Sequence, residues 1–261
     1  MTFTLDQFRL DGKVAIVTGA GARKNSIGEA YAQGLASAGA SIVVADLDKT
    51  GAERVAHNLN EMGHDAIGVG VDITDPTSAA DMAKAAKAKY GGVDILVNNA
   101  ALMVEIERVK TIDLSLDIWN RVMSVNLTGA LNCCQAVVPM MRERGGGKIV
   151  NQVSGGAFPP SAVYGISKLA LVGLTTTLAR ELGPDKINVN AIAPGMTDSE
   201  AGLALTPEGS AFRSMLASLC ALRAQGSTTE LVGALCLLCS SAGSWISGQV
   251  LHVDGGWIIR P

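Results

Sequence analysis

The sequence predicts an α/β fold in which a doubly wound, seven-stranded parallel sheet carries helices on both faces. Three observations predict it. Short apolar runs recur along the 261-residue chain, as in strands that are buried on both faces. Helical segments separate these runs, which indicates right-handed crossovers between parallel strands. A glycine-rich turn follows the first run and precedes a helix, as in dinucleotide-binding folds.

The predicted elements alternate without a break in composition, so we expect one domain over residues 1–261. Residues 196–222 are rich in Ala, Leu and Met and lack a clear period, which favours a mobile helical lid. Strands are predicted at 13–18, 41–46, 66–71, 93–97, 148–153, 187–192 and 249–253, and helices at 27–38, 52–62, 77–89, 116–141, around Tyr164 and at 231–240.

Composition excludes several classes of protein. Hydrophobic residues make up 48% of the chain and charged residues 17%, which excludes a disordered chain. The net charge of -3, with scattered Lys and Arg, argues against a nucleic-acid binder. No stretch approaches the ~18 uninterrupted apolar residues that span a bilayer, and the first residues do not resemble a secretion signal. We therefore expect a soluble, cytoplasmic protein without a membrane partner.

The five cysteines agree with a reducing compartment. Cys236 and Cys239 form a lone C-x-x-C pair inside an apolar helical segment, with no second pair and no nearby His. Such a pair does not complete a tetrahedral ligand set. We predict packing thiols and no metal site.

The first strand, turn and helix predict a Rossmann-type phosphate site. Gly19 is the candidate for the tight turn, and the helix N-terminus near Ile27 offers free N–H groups to a pyrophosphate. The loop from Gly19 to Gly28 is longer than usual and carries Ser26 where a glycine would be expected. Ser26 and Glu29 fit a capping box. The alternative interpretation is a surface insertion unrelated to a ligand.

The second strand ends in Asp46, whose carboxylate can accept hydrogen bonds from the adenosine ribose hydroxyls and would repel the extra phosphate of NADP. Asp46 therefore favours NAD. Arg23 and Lys24 favour NADP, because cations in the glycine loop could neutralise that phosphate. We give the acid more weight.

Tyr164 and Lys168 are four residues apart, so on a helix they share one face with Cβ atoms roughly 5–6 Å apart. A lysine charge at that distance contributes on the order of 3–4 kcal/mol, nearly enough to bring the pKa of a tyrosine from ~10 towards neutrality. The pair can therefore transfer protons. Taken alone, the spacing also fits a surface tyrosine beside a solvated lysine.

Short motifs continue this pattern in one order along nearly the whole chain: Thr18-Gly19 with Ile27-Gly28, Asp72, Asn98-Asn99-Ala100, Val125-Asn126-Leu127, Ser154, Tyr164-x-x-x-Lys168, Pro194-Gly195 and Val253-Asp254-Gly255-Gly256. In this order and spacing they make the chain resemble the short-chain dehydrogenase/reductase family, single-domain type. Two features depart from the family pattern. The glycine loop lacks its middle glycine, and the link from Ser154 to Tyr164 is short.

The resemblance implies a catalytic set of Asn126, Ser154, Tyr164 and Lys168. Tyr164 would exchange the proton of an alcohol while hydride passes to the nicotinamide, and Lys168 would lower the pKa of Tyr164 and hold the nicotinamide ribose. Ser154 would hold the substrate oxygen, and Asn126 a water that leads from Lys168 to solvent. Asn126 could instead only kink its helix, and Ser154 could cap a strand end.

The resemblance also implies the cofactor contacts. Asp72 would bind the adenine amino group, and Thr197 the nicotinamide carboxamide, although Asp72 and Asn98 could equally form turns. The predicted NAD-binding residues are Gly19, Ser26, Ile27, Asp46, Asp72, Ile73, Asn98, Ala100, Tyr164, Lys168, Gly195 and Thr197.

The substrate is predicted to be a hydrophobic secondary alcohol or its ketone, bound by Ser154, Phe158 and Tyr164. Glu105 is a charge that could disturb this apolar site. The family commonly forms tetramers, and the apolar residues 257–259 fit burial against a neighbour, so a homotetramer is expected. Further apolar lining is predicted from Met103, Val104, Leu203, Leu205, Phe212 and Met215.

Three other functions stay open at this point. One is an NADPH-dependent 3-oxoacyl reductase, against which Asp46 argues. Another is enoyl reduction, which the long glycine loop suggests and the Tyr164–Lys168 spacing opposes, because that branch of the family uses a wider spacing. The last is a non-catalytic dinucleotide-binding protein, which the complete catalytic set opposes.

Overall fold

The computed structural model describes residues 4–104, 106 and 109–259. In this part of the chain, seven strands form one sheet in the order β3-β2-β1-β4-β5-β6-β7, and every neighbouring pair is parallel. The predicted seven-stranded parallel sheet is confirmed. The strands are β1 Val14–Thr18, β2 Ser41–Asp46, β3 Ala66–Gly70, β4 Ile95–Asn98, β5 Gly147–Gln152, β6 Ile187–Pro194 and β7 Val250–Val253.

Helices connect the strands, and two short ones lie in the segment that was predicted as a lid. They are α1 Ile27–Ser37, α2 Lys49–Glu61, α3 Pro76–Tyr90, α4 Leu116–Met123, α5 Gly129–Glu143, α6 Ala162–Leu182, α7 Glu200–Leu205, α8 Ala211–Leu219 and α9 Val232–Cys239.

The sheet is covered on both faces because its strands are apolar on both sides. Val17 of β1 packs with α1, α2 and α9 on one face, whereas the adjacent Ile16 packs with α3, α5 and α6 on the other. All five residues of β1 are buried. The continuous apolar runs in the sequence therefore reflect burial on two faces, as predicted.

The strand order reverses between β1 and β4. β1, β2 and β3 progress towards one edge of the sheet, and β4 to β7 progress towards the other. In doubly wound sheets the crevice at this reversal, beyond the carboxyl ends of the strands, is where ligands bind. Thr18, Asp46 and Asn98 all end strands there.

Two of the predicted helices differ from the structure by more than two residues. The helix predicted at 116–141 is interrupted by a π-helical turn at Ser124–Thr128, which contains Asn126. α2 begins at Lys49 rather than residue 52, because the Asp48 side chain caps it by accepting a hydrogen bond from the Gly51 N–H at 3.1 Å.

Helix α6 lies in a segment long enough to span a bilayer, although polar residues such as Lys168 interrupt its apolar run, as predicted. By length and composition alone, Ala162–Asp185 is long and apolar enough to do so. Core helices pass the same test, and α6 packs beside β6 with Leu171 and Leu178 buried. However, only 39% of its most apolar window is buried within one chain. Leu169 is exposed on this helix, together with the small or polar Gly173, Thr176 and Thr177.

The cysteines do not form disulfides. All five are free thiols, and Cys133, Cys134, Cys220 and Cys239 are buried. Among the described residues, no group of three His, Cys, Asp or Glu side chains could hold a metal ion.

Candidate active site

Helix α6 places the Tyr164 and Lys168 side chains together. The Lys168 Nζ atom lies 5.7 Å from the centre of the Tyr164 ring and donates a hydrogen bond to the Gln152 carbonyl at 2.7 Å. Lys168 is 1% exposed. Because an ammonium has three N–H donors, this bond leaves two available to a ligand.

Ser154 joins the pair from the loop that follows β5. Its hydroxyl accepts a hydrogen bond from the Gly156 N–H at 3.1 Å, and its proximity to Tyr164 acts to lower the pKa of that phenol. The approach of the helix to this loop depends on Gly165, because a Cβ atom there would lie 2.5 Å from the Gly156 carbonyl oxygen. Ala162 adopts φ +52, a costly conformation for a residue with a Cβ, at the first turn of the same helix.

The electrostatics of this pair differ from the prediction. Burial lowers the pKa of Lys168 to about 7, and burial raises the pKa of Tyr164 to about 12, against the effect of the nearby Ser154 hydroxyl. The expectation that Lys168 lowers the pKa of Tyr164 was wrong for the protein without ligand. The physical reason is that burial disfavours the lysine charge itself, which the spacing argument took for granted.

Asn126 lies in the π-helical turn, and its side chain bridges three segments. It accepts a hydrogen bond from the Leu102 N–H at 2.8 Å and donates to the Leu102 carbonyl and the Ser167 hydroxyl, both at 3.0 Å. Ser167 in turn donates to the Tyr164 carbonyl at 2.7 Å. Asn126 thus ties the Tyr164 helix to the segment after β4. Both hydrogen bonds that its side-chain amide can donate are therefore made. A water could bind Asn126 only by donating a hydrogen bond to one of its oxygen atoms.

The glycine loop approaches the end of β4 very closely. Gly19 has φ +66, and a Cβ atom there would lie 2.5 Å from the Ala100 Cα. The Asn99 side chain donates to the Thr18 and Gly19 carbonyls, both at 2.8 Å. Asn99 was not among the predicted site residues. Its place between two predicted ones was the only sequence signal for this positioning role.

The N-terminus of α1 forms as predicted. The Ser26 hydroxyl accepts a hydrogen bond from the Glu29 N–H at 3.0 Å, and Ile27 is the first helical residue. This geometry fits the diphosphate of a dinucleotide, since a close glycine turn meets a helix N-terminus with free N–H groups.

Asp46 is 7% exposed, and the glycine loop holds its carboxylate. One oxygen accepts hydrogen bonds from the Gly21 and Ala22 N–H groups at 2.8 and 3.1 Å, and the other from the Asp48 N–H at 3.0 Å. A carboxylate has about four acceptor positions, so about one remains for a ribose hydroxyl. Asp46 therefore positions the loop, a role that the sequence did not predict.

The side chains near the predicted adenosine path serve partly structural roles. The Asp72 carboxylate accepts hydrogen bonds from the Thr74 N–H and hydroxyl at 2.9 and 2.7 Å. These bonds form a turn, which was the alternative to the predicted contact with adenine. The Ile73 side chain is 8% exposed, and its carbonyl accepts from Asn132. Asn98 donates to Asn151 at 2.9 Å inside the core, so its side chain faces away from the crevice. Any cofactor contact of Asn98 must use its backbone.

Gly195 and Thr197 follow β6 and pack tightly. A Cβ atom on Gly195 would lie 2.6 Å from the Asp254 Cα. The Asp254 carboxylate accepts from the Gly256, Trp257 and Ile258 N–H groups and so fixes the carboxyl-terminal turn. The Thr197 hydroxyl lies 3.1 Å from that of Ser199.

The role of Phe158 in lining the substrate site stays a prediction. The Phe158 side chain is 9% exposed and packs in a core cluster with Val153 and Leu171, and its ring centre lies 5.1 Å from that of His252. An aromatic residue in a Gly- and Pro-rich loop looks exposed in the sequence, and its partner lies far away in β7. Trp257 covers Gly155 beside Ser154, and its contact with a neighbouring subunit stays a prediction.

The residues predicted to form an apolar lining of the substrate site differ in their exposure. Phe212 and Met215 on α8 are 51% and 49% exposed, and Leu203 and Leu205 on α7 are partly buried. Met103 and Val104 are also partly buried. Glu105 lies outside the described residues.

Comparison with known proteins assigns the family. A family model described as "Enoyl-(Acyl carrier protein) reductase" matches residues 21–258. An uncharacterized oxidoreductase of Mycobacterium tuberculosis is 46% identical over 250 residues, which cover 96% of this chain and 99% of that protein. The 7alpha-hydroxysteroid dehydrogenase of Escherichia coli K12 is 36% identical over 261 residues, with 98% of each chain covered.

The chain belongs to the short-chain dehydrogenase/reductase family. Solved structures of the family agree with its fold. A 7alpha-hydroxysteroid dehydrogenase complexed with NADH and 7-oxo glycochenodeoxycholic acid superposes with a TM-score of 0.89 at 34% identity, covering 99% of both chains. A gluconate 5-dehydrogenase from Burkholderia cenocepacia in complex with NADP and tartrate gives 0.90 at 35% identity, covering 97% of this chain and 98% of that one.

This short-chain dehydrogenase/reductase is therefore an oxidoreductase of CH–OH groups on a Rossmann-type nucleotide-binding fold. The two solved relatives differ in cofactor and in the polarity of the bound small molecule. The two relatives therefore do not decide which cofactor or substrate this protein uses, and that question depends on the residues of this chain.

Proposed function

We propose that this protein is an NAD-dependent oxidoreductase that interconverts a hydrophobic secondary alcohol and its ketone. The observation that carries the proposal is the convergence of Ser154, Tyr164 and Lys168 at the carboxyl end of the sheet. The Ser154 side chain lies near the Tyr164 phenol, and the Lys168 Nζ atom lies 5.7 Å from the Tyr164 ring. A non-catalytic dinucleotide-binding protein would not need these three side chains together.

Each side chain has a distinct part in the proposed mechanism. Ser154 holds the substrate oxygen beside the Tyr164 hydroxyl, and Tyr164 takes the alcohol proton in oxidation or donates it in reduction. Lys168 directs its free N–H donors at the nicotinamide ribose, and Asn126 holds a water with its remaining acceptor atoms. A bound dinucleotide would supply the hydride acceptor or donor. In the protein without it, burial raises the pKa of Tyr164.

The NAD preference is supported by Asp46 and by the surroundings of Arg23. A 2′-phosphate near the buried Asp46 carboxylate would meet a like charge, worth about 4 kcal/mol at ~4 Å and an effective dielectric of ~20. The Arg23 guanidinium lies 3.7 Å from the Glu200 carboxylate, which already balances its charge.

We expect kcat/KM with NAD to exceed that with NADP by at least roughly a hundredfold, because the repulsion at the buried Asp46 outweighs the attraction of the exposed Lys24. Spectrophotometric assays with both cofactors, on the same alcohol, measure the ratio. A ratio near one, or in favour of NADP, would contradict the assignment and support the NADPH-dependent 3-oxoacyl reductase alternative.

A hydrophobic substrate is supported by the apolar side chains of α7 and α8. Phe212, Met215 and Leu219 are about half exposed in the absence of a ligand. Exposed apolar patches of this kind mark binding surfaces. Alicyclic, aromatic and steroid-like secondary alcohols, assayed for NADH formation, form the test panel.

We also propose a cytoplasmic homotetramer with a lid over residues 196–222. The free thiols agree with a reducing compartment. Leu169 on α6 is 40% exposed, and exposure of this large apolar side chain supports association between subunits. Light scattering should give about four times the 26.9 kDa chain mass. The mass of a monomer would refute the assembly.

A further inference from the structure

The extra residues of the glycine loop contact the base of the lid segment. The Asn25 side-chain N–H donates to the Asp198 carbonyl at 2.9 Å, and the Asn25 side-chain oxygen accepts from the Thr228 hydroxyl at 3.2 Å. The Lys24 N–H donates to a Glu200 carboxylate oxygen at 3.1 Å. We call these contacts, with the Arg23–Glu200 ion pair, the clasp.

The clasp attaches where both ends of the lid segment meet. The Asp198 N–H donates to the Gly226 carbonyl at 2.9 Å, and the Gly226 N–H donates to the Met196 carbonyl at 3.0 Å. The Asp198 carboxylate also accepts from the Thr228 N–H at 3.1 Å. These bonds join the chain entering the lid to the chain leaving it. A hydrogen bond to Asp198 therefore holds both the start and the end of the lid segment.

The clasp spans the crevice at the carboxyl end of the sheet. The glycine loop follows β1 and the lid segment follows β6, while β4 and β5 lie between them. Three strand spacings of about 4.8 Å separate β1 from β6, so the loop and the lid base meet above roughly 14 Å of strand ends. A dinucleotide bound in this crevice would lie beneath the contact.

We propose that the clasp closes over the diphosphate of the bound dinucleotide and controls how fast the cofactor exchanges, with Asn25 as the positioning residue. This inference rests on the proposed dinucleotide function. Asn25 belongs to the lengthened part of the glycine loop and makes the contact with Asp198. Cofactor entry and release then require the Asn25 and Lys24 hydrogen bonds to open, which slows both.

The sharpest test is Asn25→Gly. Asn25 adopts φ +46, which glycine accepts without strain, so the substitution removes the side-chain bonds and spares the loop conformation. The second variant, Thr228→Val, removes only the hydroxyl bond at nearly constant volume. Glu208→Ala is the matched control, because Glu208 lies in the same lid segment, is 88% exposed and takes no part in the clasp.

Stopped-flow fluorescence of bound NADH measures the dissociation rate. Asn25→Gly loses two hydrogen bonds, which should accelerate NADH release roughly tenfold. Thr228→Val loses one, which should accelerate release about threefold. Glu208→Ala should release NADH at the wild-type rate. Trypsin provides a readout without cofactor. Cleavage after the exposed Arg223 should be faster in Asn25→Gly than in the wild type.

Wild-type release and cleavage rates in both clasp variants would overturn the clasp and leave the proposed function standing. A wild-type protein that binds neither NADH nor NADPH would overturn the proposed function as well. Accelerated release in Glu208→Ala equal to that in Asn25→Gly would also contradict the inference, since the effect would then belong to the whole lid.

Discussion

A Tyr164→Phe variant is expected to lose alcohol oxidation by about 10²-fold to 10⁴-fold and to bind NADH as the wild type does. The substitution removes only the hydroxyl, which lies near Ser154, and keeps the ring beside Lys168. The proton acceptor is lost while the cofactor cradle at Gly19 and Ser26 is unchanged. Steady-state rates and NADH fluorescence titration measure the two effects separately.

Tyr31→Phe is the matched control for this variant. Tyr31 is fully buried in α1, and its hydroxyl has no hydrogen-bond partner among the described residues. Removing that hydroxyl should leave turnover unchanged. An active Tyr164→Phe enzyme would refute the assignment of Tyr164 as the acid/base group.

Lys168→Met is expected to lower kcat/KM by about 10²-fold to 10³-fold and to raise the KM for NAD. Methionine fills the buried space but carries no N–H donors for the ribose and no charge near the phenol. The matched control is Lys148→Met, because Lys148 is a partly buried lysine that also has a lowered pKa and lies near the amino end of β5, at the opposite end of the strands from the site. Equal losses in both variants would show a general effect of removing buried lysines.

The lowered pKa of Lys168 also gives this variant a pH signature in the protein without cofactor. The lysine titrates near 10.5 when unfolded and near 7 when folded. Between these values the unfolded chain holds a proton that the folded protein lacks, so the free energy of unfolding rises with pH. From pH ~7 to ~9 the free energy of unfolding of the wild type should rise by about 2 kcal/mol relative to that of Lys168→Met.

Denaturant titrations of both proteins at several pH values measure this difference. The raised pKa values of the buried Cys133, Cys134 and Cys239 thiols lower stability above pH ~9, but they are common to both proteins and cancel. A constant difference between the two proteins over this range would show that Lys168 stays charged when the protein is folded.

The sequence predicted the sheet well because parallel strands buried on both faces leave continuous apolar runs. The pairing of Tyr164 with Lys168 was equally accessible, since a spacing of four residues on a helix fixes the shared face. Ser154 and Asn126 were identified from the family motifs. They lie in separate segments, so no local sequence pattern predicts that they come together with Tyr164.

Other features depend on contacts between distant parts of the chain. Phe158 pairs with His252, and Asn25 contacts Asp198, so neither environment is visible in a local window. The lowered pKa of Lys168 depends on burial, which spacing does not report. The π-helical turn at Asn126 follows from side-chain bonds to Leu102 and Ser167, two segments that lie elsewhere in the sequence.

The most direct test of the central claim is hydride transfer itself, followed by the near-ultraviolet absorbance of NADH while a panel of hydrophobic secondary alcohols is offered with NAD. We predict NADH formation with at least one alicyclic, aromatic or steroid-like alcohol, and its loss in Tyr164→Phe. A protein that binds NADH tightly but forms none with any alcohol, and reduces none of the matching ketones, would contradict the account.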